Sequence, residues 1–144
     1  MNLNKVKEEM LKDGAKIGLK VEEETAEKLV LHAEITAKAY FKDSIYLRVV
    51  VFESGTLHVF LTFEELEKTY ENLYLINSFN AENPWFRAYI GNINGKDFLE
   101  LHYTSFSIES EEQVSDAVGY LLNQLLEQSA LQYLKPMLEA KDRK

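Results

Sequence analysis

The sequence predicts an α+β protein: an antiparallel sheet of 5–6 strands with an N-terminal helix, a central helix and a long C-terminal helix, in the order α-β(3–4)-α-β(2)-α. Three observations predict it. Apolar residues recur at helical spacing near both ends and in the middle of the chain. Two stretches alternate in β fashion around turn residues. No strand–helix–strand repeat of the parallel type stands out.

Leu3, Val6, Met10 and Leu11 share one helical face and predict the first helix, with Gly14 as a left-handed C-cap. The period then shortens. Ile17, Leu19 and Val21 alternate, as do Leu29, Leu31, Ala33 and Ile35, so a first strand at about 17–24 and a second over the latter residues are expected. The acidic stretch Glu22-Glu23-Glu24 is expected to join or partly extend them as a solvated segment.

Ile45–Phe52 and Thr56–Phe63 flank Ser54-Gly55, which predicts a hairpin with a two-residue turn. That turn sets Phe52 opposite Leu57, Val50 opposite Val59 and Tyr46 opposite Phe63 on one side. The other side then holds Val49 opposite Phe60 and Val51 opposite His58. Both faces come out largely apolar, whereas a sheet with one wet face alternates. A second hairpin turns at Ile93-Asn94-Gly95-Lys96, where Asn-Gly suits the two positive-φ positions of a type I′ turn. It pairs Ile90 with Leu99, Ala88 with Leu101 and Phe86 with Tyr103 on a core-like face. Tyr89 with Glu100, Arg87 with His102 and Trp85 with Thr104 share the mixed face.

Between the hairpins, Leu66, Tyr70, Leu73 and Asn77, with Tyr74 beside them, predict a helix to about Asn80, entered through a Thr62…Glu65 capping box if Thr62 has left its strand. Asn80-Ala81-Glu82-Asn83-Pro84 is a loop, because Pro84 disfavours helical geometry at Asn83. In the last helix, Ser110…Gln113 forms a capping box. Val114, Ala117, Val118, Leu121, Leu122, Leu125 and Leu126 then follow the helical period. Pro136 implies a kink or break between about Ser129 and Lys135, and the tail at 140–144 is expected to fray.

With 144 residues, two prolines, six glycines and no repeat, the chain is read as a single domain over 1–144. Sixteen Lys and Arg against 24 Asp and Glu give a formal charge of −8, which argues against nucleic acid and anionic membranes as partners. The absence of cysteine excludes disulfides and cysteine catalysis. No apolar run approaches the ~18–20 residues of a membrane helix, and Met1–Glu9 has no signal-like apolar region, so a cytoplasmic protein is expected.

The run Leu73-Tyr74-Leu75-Ile76-Asn77-Ser78-Phe79-Asn80-Ala81-Glu82-Asn83-Pro84-Trp85-Phe86-Arg87-Ala88-Tyr89-Ile90 resembles the central signature of the YbjN-like family of proposed bacterial sensory transduction regulators. Asparagines spaced by three, a short loop and a hairpin carry the resemblance, and a Ser-Glu-Glu entry into a leucine-rich helix extends it to about residue 126. The element order covers nearly the whole chain, with one extra strand in the first half. The resemblance implies a bacterial source and a type III secretion (Tir-type) chaperone-like fold, whose members are acidic cytoplasmic homodimers that bind segments of partner proteins. It brings no catalytic residues to carry over.

His32, His58 and His102 lie on separate strands without local ligand spacing, so no metal or cofactor is expected. Arg87, Glu100 and His102 form the best local cluster, which general acid–base work would use only if it converged in a pocket. Gly91–Gly95 leads into a strand rather than a helix and is no phosphate loop. Asn77, Asn80, Asn83 and Pro84 mark a signature loop whose asparagines either bond nearby backbone, the favoured reading, or grip a partner.

The leading expectation is a non-enzymatic interaction module, chaperone-like or regulatory, that binds a protein partner as a homodimer. Its candidate interface is Val49, Val51, His58 and Phe60 on the doubly apolar hairpin, or Trp85, Arg87, Tyr89 and His102 on the mixed face. The alternative is a small ligand-binding domain or enzyme with a sheet–helix pocket near Arg87 and His102. A weaker alternative is an acidic immunity or inhibitor protein.

Overall fold

The computed structural model describes residues 1–36, 45–84, 86–106 and 108–125, together with Pro136. Helix α1 (Leu3–Asp13) starts at Asn2, whose side-chain oxygen accepts from the backbone N–H of Asn4 at 3.0 Å and of Lys5 at 3.3 Å. Its Val6 and Met10 are buried, as the helical period requires. Gly14 follows with φ −91°, so it is not the left-handed cap expected there. It is kept small by close packing: a Cβ would lie 2.8 Å from Leu19 Cβ and from the Met10 carbonyl oxygen.

A 3₁₀ turn, Ala15–Ile17, takes Ile17 out of the expected strand, and β1 spans Lys20–Glu24. The acidic run is therefore strand. It is also paired with cations: Glu22 with Arg48 at 3.0 Å, Glu23 with Lys28 at 3.2 Å and Glu24 with Lys7 at 2.9 Å. Strand β2 (Lys28–Ile35) pairs with β1 across an irregularity between Val21 and Glu23.

Strands β3 (Ile45–Phe52) and β4 (Leu57–Glu65) pair one residue out of the expected register. Val49 faces Val59, Val50 faces His58 and Arg48 faces Phe60. The connection is a three-residue loop, Glu53-Ser54-Gly55. The Phe52 N–H donates to the Thr56 carbonyl at 2.9 Å and Gly55 sits at φ 96°. Three-residue hairpins end on such a left-handed residue, for which glycine carries no steric cost. Because side chains alternate, one residue of slip exchanges faces. Ile45, Leu47, Val49 and Val51 join Leu57, Val59, Leu61 and Phe63 in the core, and the second face is mixed rather than apolar.

Strand β4 runs on to Glu65, so Thr62 caps nothing; helix α2 (Tyr70–Glu82) is capped by Thr69, whose hydroxyl accepts from Asn72 N–H at 3.1 Å. The buried face of α2 is Ile76 and Phe79, not the expected stripe: Tyr70, Leu73 and Tyr74 are exposed. The helix is apolar on two sides, and spacing alone does not choose between them. Strands β5 (Arg87–Ile93) and β6 (Lys96–Ser105) pair as the Asn-Gly turn predicts, with Asn94 at φ 53° and Gly95 at φ 84°. Helix α3 (Glu111–Leu125) buries Val114, Val118 and Leu121. The Gln113 side chain accepts from Glu109 N–H at 2.8 Å, closing the helix entry. Leu126 and the segment expected to kink, up to Lys135, lie outside the described residues; Pro136 has helical geometry.

The six strands form one antiparallel sheet in the order β1-β2-β3-β4-β6-β5. Residues from all three helices and one face of the sheet make a single apolar cluster. The helices thus cover one face, α1 packed with α3 and α2 beside β5, and among the described residues the other face stays open. No described helix is long and apolar enough to cross a membrane.

Candidate binding face

The open face is built by even-numbered positions of the middle strands. Arg48, Val50 and Phe52 come from β3, His58, Phe60 and Thr62 from β4, Glu100, His102 and Thr104 from β6, and the next strand, β5, adds Arg87 and Tyr89. The pairing of β4 with β6 sets His58 opposite Thr104 and Phe60 opposite His102. This long-range step joins halves of the chain that the sequence leaves unrelated.

His58 Nδ1 lies 3.0 Å from His102 Nε2. Thr104 Oγ1 is 3.1 Å from the first nitrogen and 3.0 Å from the second. Phe60 stacks on the His102 ring with centroids 4.3 Å apart and planes 9° apart, and Phe52 meets His58 edge-on at 6.0 Å. The His102 imidazole is held below the usual histidine range, first by burial and then by the charges of His58 and Arg87. Beside it, burial and a hydrogen bond to the Glu100 carboxylate push the Tyr89 phenol up to about 12. A shallow groove of about 320 Å³ opens here, bordered by Phe52, His58, Phe60, His102, Arg48 and the Lys28–Glu23 pair.

Several expected site residues therefore meet. His58, Phe60 and His102 touch one another, and Arg87 and Tyr89 flank them. Val49 and Val51 do not belong with them: the register turns both into the core, where neither has any exposed surface. Trp85 lies outside the described residues. The pocket expected between sheet and helices near Arg87 and His102 is corrected too, since both project from the face away from the helices. Thr104, Phe52 and Arg48 join the cluster unforeseen. His58 faces Thr104 only through the β4–β6 pairing, for which no local signal exists.

The signature loop is shorter than expected, since α2 runs to Glu82 and takes Asn77 and Asn80 into the helix; there Asn80 donates to the Ala88 carbonyl at 3.0 Å and accepts from Ala88 N–H at 2.7 Å. Asn83 donates to the Phe79 carbonyl at 3.0 Å, Asn77 is exposed and Pro84 sits in the turn. Among the described residues no group of three or more His, Asp or Glu side chains converges as a metal site would require.

The class these features define is a helix-backed antiparallel sheet of α+β type with one face left for contact. Its fold is YbjN-like: the crystal structure of YbjN from E. coli, described as a proposed transcription regulator, matches with a TM-score of 0.58 over 99% of this chain and 93% of that one. The two sequences are 14% identical, so the likeness is one of fold. No protein-family model and no curated protein sequence matches the chain.

Proposed function

We propose that the chain is a single-domain, non-enzymatic bacterial regulatory module of the YbjN-like family that binds another protein through the open face of its sheet. The first partner is a second copy of itself, in the cytoplasm. One observation carries this reading: the helices pack on one face of the sheet, while the other presents half-buried Phe60, Phe52, His58 and His102 rimmed by Arg48 and Arg87. Aromatic and arginine side chains gathered at the centre of a patch are the residues that dominate protein interfaces. The fold shared with YbjN supports a regulatory role. The net charge of −8 opposes a nucleic-acid phosphate backbone as the partner.

Light scattering coupled to size exclusion tests the dimer. The wild type is expected to run as a dimer at micromolar concentration, and Phe60→Glu as a folded monomer with an unchanged circular dichroism spectrum. A wild type that is monomeric throughout the micromolar range overturns self-association. Capture from the source cell with wild type and Phe60→Glu in parallel then identifies the partners that depend on this face.

A further inference from the structure

We infer that His58, His102 and Thr104 form a proton-gated latch on the open face, closed by one hydrogen shared between the facing ring nitrogens and opened when a second proton is added there. The geometry is specific. The ring centroids are 5.2 Å apart and the planes differ by 19°, while the facing nitrogens are 3.0 Å apart. The difference is the sum of the two ring radii, so both nitrogens lie close to the line joining the ring centres, where a lone pair of one can face a hydrogen of the other. A metal ion would need the two lone pairs to converge on a third point off that line, which this arrangement does not offer.

A neutral pair places one hydrogen between Nδ1 of His58 and Nε2 of His102. A first added proton goes to an outward-facing nitrogen and leaves that bond intact. A second puts a hydrogen on both facing nitrogens, and at 3.0 Å the two N–H groups cannot both fit. The Thr104 hydroxyl, within 3.1 Å of both, can take one of them only if the rings part. The surroundings act in the same sense. Arg87 of β5 stands opposite His102, whereas Arg48 of β3, opposite Phe60, is paired with Glu22 at 3.0 Å. Glu100 of β6 is engaged by Tyr89 and Thr62, and Lys28 and Glu23 across the groove pair with each other. Opening draws His102 off Phe60 and replaces a flat aromatic surface by two like charges.

Nuclear magnetic resonance of the ring protons and nitrogens, followed from about pH 8 to about pH 4, tests the latch. The two rings are expected to titrate as a coupled pair, the second step below the first. The Phe60 ring signals should shift only with the second step. His58→Asn is expected to leave His102 with a single step, raised toward the ordinary range. Two rings that titrate independently, each indifferent to substitution of the other, overturn the latch. So does a Phe60 ring that never responds. Light scattering on the same samples reads the oligomer separately, so a coupled titration in a monomer supports the latch while overturning self-association.

Discussion

Asn80 does at one point what a further strand would do along a whole edge. Its side-chain amide pairs with both the N–H and the carbonyl of Ala88, the outward-facing backbone groups of edge strand β5. The same bonds fix the end of α2 to the sheet. Asn80→Ala leaves two half-buried backbone groups without that partner, and urea unfolding is expected to show a loss of about 1–3 kcal/mol. Asn80→Asp, which accepts but does not donate, should fall between. That asparagines here can bond nearby backbone is legible in the sequence, whereas Ala88 as the partner of Asn80 is not.

Two ionisable residues on the open face add opposite pH dependences. His102 is held below the ordinary histidine value of 6.5, so the unfolded chain binds protons more readily. The contribution of its neutral form is complete above about pH 6.5 and is lost as pH falls from there through the lower folded-state value. The Tyr89 phenol is raised from 10 to about 12, so its contribution is complete below pH 10 and lost as pH rises toward 12. In urea titrations, Tyr89→Phe is expected to remove the alkaline loss and His102→Gln the acid one. Each variant should leave the other limb in place.

At the scale of elements, the two hairpins show when a register can be read. Asn94-Gly95 admits one turn geometry, and every pair expected over Arg87–Ile90 is found in β5–β6. Ser54-Gly55 does not: the turn takes Glu53 as well, and the register slips by one. The slip reverses what substitution should do. Val49, expected at an interface, is buried, whereas Val50, expected in the core, lies on the half-open face opposite His58. Val49→Asp is therefore expected to abolish the cooperative unfolding transition, since an unpaired carboxylate in the core costs several kcal/mol. Val50→Asp should remain folded by circular dichroism. Helix α2 gives the same lesson, because Tyr70, Leu73 and Tyr74 make as good a helical stripe as Ile76 and Phe79, yet the latter pair packs on the sheet.

At the scale of the molecule, one connected core joins the helices to one sheet face, and β4 lies in the middle of the sheet. Leu61 of β4 is fully buried there, and Leu61→Ala is expected to cost about 2–5 kcal/mol with a single transition retained in urea. The acidic surplus is partly tied into the fold, since Glu22, Glu23 and Glu24 hold cations of β3, β2 and α1 around the sheet edge. Such exposed pairs each add little to stability. They hold Arg48 and Lys28 at the border of the open face, whose centre is aromatic rather than acidic despite the net charge of −8.

The α+β class, most of the elements and the β5–β6 register are legible in the sequence, because helical periods and an Asn-Gly turn are local and act within a few residues. Tertiary structure alone decided which stripe of α2 is buried, which side of β3–β4 faces the helices, and that His58, Phe60, His102 and Thr104 meet. The last of these depends on β4 pairing with β6, which sets His58 opposite Thr104 and Phe60 opposite His102 from distant parts of the chain. Such pairing is selected by burial of the whole apolar set at once, and no short stretch of sequence carries it.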